Sequence, residues 1–150
     1  MGGANGVGAT GYVLAMMELM EQLRATERRV DHIPSASGSG GVLAGRKTVA
    51  RVAGFEGPVS GLSLDQADPE RRTYEEEITT LANKCAQYIG SGVRLTKQHI
   101  KVIYGYTGEG YGVVGNLERE AIRLMARSEG IILDPVYTGR AFGALVDLIR

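Results

Sequence analysis

The chain has 150 residues, which fits one globular domain of ordinary size. Its 43% hydrophobic and 23% charged residues are typical of a soluble globular protein. The 17 Lys and Arg residues balance the 17 Asp and Glu residues, and this zero net charge argues against non-specific electrostatic binding to nucleic acid or to an anionic membrane.

The lack of a recognisable targeting segment and the low cysteine content are typical of an ordinary intracellular protein. No apolar run reaches the length of a membrane span, and the first residues lack the basic and apolar regions of a signal peptide. The single cysteine, Cys85, excludes a disulfide framework and a cysteine-based zinc site. We therefore expect a cytoplasmic protein with no metal, no nucleic-acid partner and no membrane partner.

The opening segment GANGVGATGY contains a G-x-G-x-x-G pattern at Gly6, Gly8 and Gly11. This pattern binds dinucleotides only where a strand leads into it and a helix follows, with an acidic residue about 20 positions further on. No strand is predicted before Gly6, and the acidic candidate, Asp31, precedes the next strand instead of ending it. With 22 glycines in the chain, a chance match is the better interpretation.

Strands and helices alternate along the chain. Helical spacing of apolar residues predicts helices over residues 9–29 and 42–52, and a third that opens at Asp68 and Pro69 and stops at Gly90. Short apolar runs predict strands at residues 32–36, 59–64, 99–105 and 131–133. Asn116 is predicted to cap the fourth helix, and Thr138 to begin the last one. Such alternation predicts a single α/β domain over residues 1–150, an open three-layer sandwich with a mostly parallel sheet.

Three side-chain types on these elements have an alternative chemical interpretation. Cys85 falls on the apolar face of its helix, which favours a small buried hydrophobic residue over a nucleophile. The methionines of the first helix are interpreted in the same way, as core residues. His32 and His99 lie at predicted strand entries, which favours a structural role over metal binding.

The strongest local signal is the loop SGSGG, formed by Ser37, Gly38, Ser39, Gly40 and Gly41 between a strand and a helix. Free amides at a helix N-terminus, together with the helix dipole, suit a phosphate or carboxylate. Glycine lets an anion approach the backbone, and serine hydroxyls add donors. The alternative is an ordinary glycine-rich turn, and the order strand, loop, helix favours the anion site.

Two further segments suggest a ligand-facing surface. GYTGEGYGV places Tyr106 and Tyr111 on a glycine-rich loop after a strand, where large aromatic rings suit the wall of a flat ligand. ILDPVYTG places Tyr137 and Thr138 at the start of the last helix. Thr138 there is either a helix cap or a ligand contact.

Together these segments resemble a known family. The opening GGANGVGATGYVLAMMEL, the loop ASGSGGVLAG, and GYGV followed by EAIRLMARSEGIILDPVYTGRA are similar to the fold type II pyridoxal-phosphate enzymes of the D-cysteine desulfhydrase and 1-aminocyclopropane-1-carboxylate deaminase group. The resemblance covers nearly the whole chain. It implies a tryptophan synthase beta-like fold, of which this chain is the central-to-C-terminal portion and part of the large domain.

The resemblance also implies roles for individual residues. The pyridoxal 5'-phosphate cofactor would place its phosphate in the loop Ser37, Gly38, Ser39, Gly40 and Gly41. Tyr111 and Tyr137 match the catalytic tyrosines on the substrate side, and Thr138 matches the residue that faces the pyridine nitrogen. A hydroxyl at that position permits a neutral ring, a weaker electron sink than the ring that a carboxylate would keep protonated. Thr138 therefore favours β-elimination of D-cysteine to pyruvate, ammonia and sulfide over cyclopropane opening.

The chain departs from the family pattern at several positions. The family's cofactor-binding lysine lies in an asparagine–lysine–basic motif, and Lys47, Lys84, Lys97 and Lys101 lie in other contexts, where we expect surface roles. Val42 replaces a threonine after the phosphate loop, and Glu109 replaces a proline.

Three alternatives follow from these departures. The chain is part of a lyase that acts on a small amino acid, or a phosphate-binding module without chemistry, or a fragment that only oligomerises. We expect a homo-oligomer, because a partial domain exposes surface that other segments cover.

Overall fold

The computed structural model describes residues 3–64 and 74–150. These residues form five α-helices, one 3-10 turn and three β-strands. In chain order they are α1 (Thr10–Ala25), β1 (Ile33–Ser37), α2 (Gly41–Val52), β2 (Val59–Ser63), α3 (Tyr74–Tyr88), the 3-10 turn (Lys97–His99), β3 (Lys101–Ile103), α4 (Asn116–Glu129) and α5 (Thr138–Leu148).

The three strands form one parallel sheet in the order β1, β2, β3. Ile33 lies opposite Val59 in the first pair, and Ser60 lies opposite Lys101 in the second. All five residues of the central strand β2 are buried, as is typical of parallel sheets, whose faces are covered by helices. Parallel neighbours need a crossover connection, which α2 provides between β1 and β2. The predicted α/β class with a parallel sheet is confirmed.

Helix α2 is the centre of the packing, because it contacts α1, α3, β1 and β2. Its contact with α1 depends on Gly45, where a Cβ atom would collide with the carbonyl oxygen of Ala9. Its contact with α3 includes the buried Thr48, whose hydroxyl lies 2.9 Å from the Ala44 carbonyl and 3.1 Å from the Ala82 carbonyl. This core includes the side chains of Val13, Met16, Met20, Leu43, Val49, Ile78 and Leu81.

Two predictions about the core have clear outcomes. Cys85 is fully buried, and burial raises the pKa of its thiol, which agrees with a hydrophobic role. Met16 and Met20 lie in the core as predicted, whereas Met17 is exposed. The apolar stripe of α1 is therefore narrower than the sequence suggested.

Helices α4 and α5 pack against each other, and α5 also contacts β1. Gly143 allows this close approach, since a Cβ atom there would lie 2.8 Å from Cγ of Leu117. The contact between α5 and β1 brings the start of the last helix towards the end of the sheet that carries the loop of residues 37–41.

The element boundaries differ from the predictions in four places. Residues 131–133 do not form a strand, and Ile131 and Ile132 are instead exposed. The strand predicted over residues 99–105 is confined to β3, because a 3-10 turn precedes it. Helix α1 ends at Ala25, and α4 has Gly115, not Asn116, at its N-cap. The predicted helix start at residues 68–69 lies outside the described residues.

None of the helices in residues 3–64 and 74–150 is long and apolar enough to cross a bilayer. The same residues contain no group of three or more His, Cys, Asp or Glu side chains arranged to hold a metal ion.

Candidate functional site

The loop between β1 and α2 has the geometry of an anion site. Gly40, the N-cap of α2, has a left-handed φ of 80°, and no side chain caps this helix. The first amides of a helix have no carbonyl within the helix to which they can donate. No described residue accepts a hydrogen bond from the backbone amides of residues 39–43. These amides and the positive end of the helix dipole suit a phosphate or carboxylate, as the sequence predicts.

The start of the loop is held by a partly buried tyrosine, Tyr74. The Tyr74 hydroxyl donates to the Gly38 carbonyl at 2.7 Å and lies 2.8 Å from the Ser37 hydroxyl. Because the one hydrogen of Tyr74 goes to Gly38, Ser37 is the donor in the second contact. Ser37 is buried and engaged here, so the exposed hydroxyl in the loop is that of Ser39. Ser37 therefore fixes the loop, and Ser39 is the serine that a ligand can reach.

Glycine is required at Gly40 for two reasons. Its φ lies in the left-handed region, and a Cβ atom there would lie 2.7 Å from Cγ1 of Ile78 in α3. Gly41 is less constrained: a Cβ atom at this position would lie 3.7 Å from Cα of Ala4 and from the Gly3 carbonyl. The opening segment of the chain thus lies beside the loop.

The opening glycines form a compact turn at the edge of this loop. The Asn5 side chain accepts from the Gly8 amide at 2.8 Å, and a Cβ atom on Gly8 would collide with the Gly3 carbonyl. A Cβ atom on Gly6 would lie 3.1 Å from Cβ of Lys84 in α3. These glycines serve close packing at the rim of the site, which agrees with rejecting the dinucleotide pattern.

Tyr137 connects the loop to the tyrosine pair. A Cβ atom on Gly38 would lie 3.9 Å from Cε1 of Tyr137, which places this ring beside the loop. The hydroxyls of Tyr111 and Tyr137 are hydrogen-bonded to each other. Their rings meet edge to face, with centroids 6.1 Å apart and planes inclined by 74°. Both tyrosines are partly exposed and are therefore accessible to a ligand.

Thr138 is engaged with an aspartate at the start of α5. Its hydroxyl donates to Oδ2 of Asp134 at 2.5 Å and accepts from the Asp134 amide at 2.9 Å. Asp134 also accepts from the amides of Val136, Tyr137 and Thr138. Burial alone would raise the pKa of Asp134, but the bonds from the Thr138 hydroxyl and these amides outweigh it and lower that pKa to about 2. Thr138 is the first residue of α5 and Tyr137 is its N-cap, so the interpretation of Thr138 as the helix cap is wrong.

A buried ion pair that the sequence analysis did not identify lies behind the tyrosines. Arg140 Nε contacts Glu118 Oε1 at 2.5 Å, and the two residues are only 1% and 2% exposed. The guanidinium also donates to the carbonyls of Gly110 at 3.2 Å and Val113 at 2.7 Å. The sequence does contain one signal for this site, because Glu118 is a charged residue at the third position of the helix that has Gly115 as its N-cap. Charge alone favours a surface position, and only the fold shows that this one is buried.

Tyr106 does not join the wall that the sequence predicted with Tyr111. Its hydroxyl donates to Asp147 at 2.8 Å, near the end of α5. Tyr104 donates to Glu75 at 2.9 Å. Burial, that hydrogen bond and the charge of Glu75 raise the pKa of Tyr104 to about 12. These two tyrosines tie the loop after β3 to helices α5 and α3.

The histidines and lysines lie in structural surroundings. His32 Nε2 contacts the Ser60 hydroxyl at 2.7 Å, and burial together with the charge of Lys101 lowers the pKa of His32. Lys97 pairs with Glu76 at 3.6 Å on the surface. The remaining lysines are Lys84 on the exposed side of α3, Lys101 at the start of β3, and Lys47, which is half-buried in α2.

Known proteins are similar to nearly the whole chain. Residues 2–150 match the family described as pyridoxal-phosphate dependent enzyme. A protein of Pyrococcus furiosus is 37% identical over 150 residues, and one of Pyrococcus abyssi is 33% identical over 152. Both carry the provisional name 1-aminocyclopropane-1-carboxylate deaminase. The match covers 100% and 99% of this chain but 44% and 43% of those proteins.

A solved structure shares the fold. A crystal structure described as an ACC deaminase homologue superposes with a TM-score of 0.77 at 32% sequence identity. The superposition covers 97% of this chain and 42% of the solved one. The present chain thus spans less than half the length of the proteins that it matches.

Proposed function

Since the chain belongs to the pyridoxal-phosphate dependent enzyme family, we propose that its residues 37–41 hold the cofactor phosphate and that Tyr111 and Tyr137 face the substrate. The observation that carries the proposal is the position of the Tyr137 ring beside Gly38, where a Cβ atom would lie 3.9 Å from Cε1 of Tyr137. This contact supports the proposal, because it brings the start of α2 and the pair of tyrosine hydroxyls into one small region.

The residues present fit the phosphate end of this cofactor. The amides of residues 39–43 donate to no described group, and the left-handed Gly40 turns the chain into α2 without a side chain in the way. The exposed Ser39 hydroxyl adds a donor. Val42 lacks the hydroxyl that the family places there, so the loop relies more heavily on its backbone amides.

We propose that the reaction is β-elimination on a small D-amino acid of the D-cysteine type. The bound cofactor supplies an electron sink that stabilises negative charge at Cα of the substrate. Loss of the Cα proton and of the thiolate, followed by hydrolysis, gives pyruvate, ammonia and sulfide. A phenol hydroxyl both donates and accepts, so the Tyr111–Tyr137 pair is suited to hold a proton and to pass it to the departing sulfur.

Thr138 supports this choice of reaction. A carboxylate facing the ring nitrogen would keep it protonated, whereas a hydroxyl is neutral. The Thr138 hydroxyl is uncharged, so it supplies no negative charge of its own that would hold a proton on the ring nitrogen. A weak electron sink is sufficient to expel a thiolate, which is a good leaving group.

The lysine that carries the cofactor is expected outside these 150 residues. Lys84, Lys97 and Lys101 are exposed, and Lys47 lies within α2. We therefore propose that the chain alone binds the cofactor non-covalently and turns over no D-cysteine, and that it acts in a cytoplasmic homo-oligomeric lyase when the lysine-bearing segment is present.

The experiment compares two ligands that differ only in the phosphate. Equilibrium dialysis of this chain against pyridoxal phosphate and pyridoxal should show about tenfold tighter binding of the phosphorylated form, since charge-assisted amide contacts add about 1.4 kcal/mol. Ser39→Asp, which places a carboxylate beside the amides, should abolish this preference. Ser128→Asp makes the same charge change on the exposed surface of α4 and should retain it.

Each result has a defined meaning. Equal affinity of the wild-type chain for both ligands would overturn the phosphate site. Sulfide release from D-cysteine, assayed after adding a lysine-bearing segment, tests the reaction separately. Release of ammonia from 1-aminocyclopropane-1-carboxylate, with no sulfide from D-cysteine, would replace the proposed reaction with deamination.

A further inference from the structure

The Tyr111 loop, residues 105–115, has little regular structure of its own. Gly105, Gly108, Gly110 and Gly112 all have positive φ values, between 57° and 137°, a range that side chains other than glycine rarely adopt. The backbone hydrogen bonds within the loop are from the Gly110 amide to Thr107 at 3.1 Å and from the Val113 amide to Gly110 at 3.3 Å. Four glycines carry a large conformational entropy, so holding Tyr111 in one place needs further contacts.

Arg140 supplies such contacts on both sides of Tyr111. Its Nη1 donates to the Gly110 carbonyl at 3.2 Å and its Nη2 to the Val113 carbonyl at 2.7 Å. Gly110 directly precedes Tyr111, and Val113 follows two residues later. The same guanidinium therefore holds the backbone before and after the tyrosine.

Glu118 orients this guanidinium. Its Oε1 accepts from Arg140 Nε at 2.5 Å, and its Oε2 accepts from the Gly115 amide at 2.8 Å, at the far end of the loop. Burial alone would raise the pKa of Glu118, but the hydrogen bonds from Arg140 and the Gly115 amide lower it, so the carboxylate is charged near neutral pH. A lysine has no planar fork and cannot reach one carboxylate and two carbonyls at once.

Arg140 and Tyr137 lie one helical turn apart at the start of α5. A side chain that grips the Tyr111 loop from this turn fixes the loop relative to Tyr137. We infer that Arg140, oriented by Glu118, is a positioning residue that sets the contact between the Tyr111 and Tyr137 hydroxyls. The importance of that contact rests on the proposed function, whereas the contact itself does not.

The test measures the contact in this chain without any cofactor. Photo-oxidation joins neighbouring tyrosines as dityrosine, and mass spectrometry of the digested chain identifies a cross-link between Tyr111 and Tyr137. Arg140→Lys should reduce the yield of this cross-link about tenfold, because two carbonyl contacts to a charged donor are lost. Arg119→Lys, the same change on the exposed face of α4, should leave the yield unchanged.

Circular dichroism and urea unfolding separate positioning from folding. A folded Arg140→Lys chain with the wild-type cross-link yield would overturn the inference. Arg140 would then serve only to pair with Glu118, without positioning the Tyr111 loop. If Arg140→Lys does not fold, Glu118→Gln takes its place: it keeps the size of the side chain, and it should lower the yield in a folded chain. An unchanged yield in that variant would also overturn the inference. Failure of this chain to bind the cofactor would count against the proposed function but would not change either cross-link result.

Discussion

A Cβ atom on Gly38 would lie 3.9 Å from Cε1 of Tyr137, so the loop after the first strand and the start of the last helix touch at the candidate site. This contact joins segments that are far apart in the sequence, the loop after β1 and the start of α5. The loop offers amides to an anion, and the helix start carries the tyrosine pair. Neither segment alone would distinguish a cofactor site from a glycine-rich turn.

The left-handed glycine of the loop should tolerate substitution poorly. Gly40→Ala combines backbone strain with a Cβ atom only 2.7 Å from Ile78, and should lower the free energy of unfolding by about 2–4 kcal/mol. Gly54→Ala, at the other end of α2, has a similar φ of 69° in open space and should cost about 1–2 kcal/mol. Urea unfolding of both variants checks this, and equal costs would show that Ile78 moves aside freely.

The buried ion pair should contribute far more to stability than an exposed one. Glu118→Ala leaves the Arg140 guanidinium charged and buried, which should lower the free energy of unfolding by about 3–5 kcal/mol. Glu76→Ala removes the exposed pair with Lys97, at 3.6 Å, and should cost at most about 1 kcal/mol. Chemical denaturation measures both, and a cost near 1 kcal/mol for Glu118→Ala would mean that water reaches Arg140.

Asp134 should make stability depend on pH in the acid range. Its pKa is about 2 in the folded chain against an ordinary value of 3.8, so its contribution is fully present above about pH 3.8 and is lost as the pH falls towards 2. Because the side chain is exposed, we expect a loss of about 1 kcal/mol.

The matched variant for this prediction is Asp134→Asn, which keeps an acceptor for the amides of Val136 and Tyr137 but does not titrate. Unfolding midpoints of the wild-type and variant chains should differ above pH 4 and converge near pH 2. A constant difference across this range would show that Asp134 is not responsible.

Local sequence signals predicted most of the fold. The spacing of apolar residues gave the helices that carry Met16, Ile78 and Ala121, and the glycines of residues 37–41 marked the loop before α2. Residues 131–133 were wrongly predicted as a strand. Two isoleucines beside a leucine have strong β-propensity. A strand also needs a neighbouring strand to pair with, and the sequence does not show which segments lie side by side.

The site was only partly predictable, because local sequence patterns do not show which distant segments pack together. Tyr111, Tyr137 and the residue 37–41 loop were identified from local patterns and from the family resemblance, and the structure brings them together. Arg140 and Glu118 are charged residues on amphipathic helices, so the sequence assigns them to the surface. Their burial depends on the packing of α4 against α5, a contact that local spacing does not encode.

The central claim is that the backbone amides at the start of α2 bind an anion, and amide chemical shifts in a titration with inorganic phosphate test it most directly. We predict that the largest saturable shifts fall on the amides of residues 39–43, and that Ser39→Asp removes them. The competing surface is the open cleft of about 670 Å³ beside α3, lined in part by Lys84 and Arg94. Shifts centred on that cleft, with none in residues 39–43, would contradict the account.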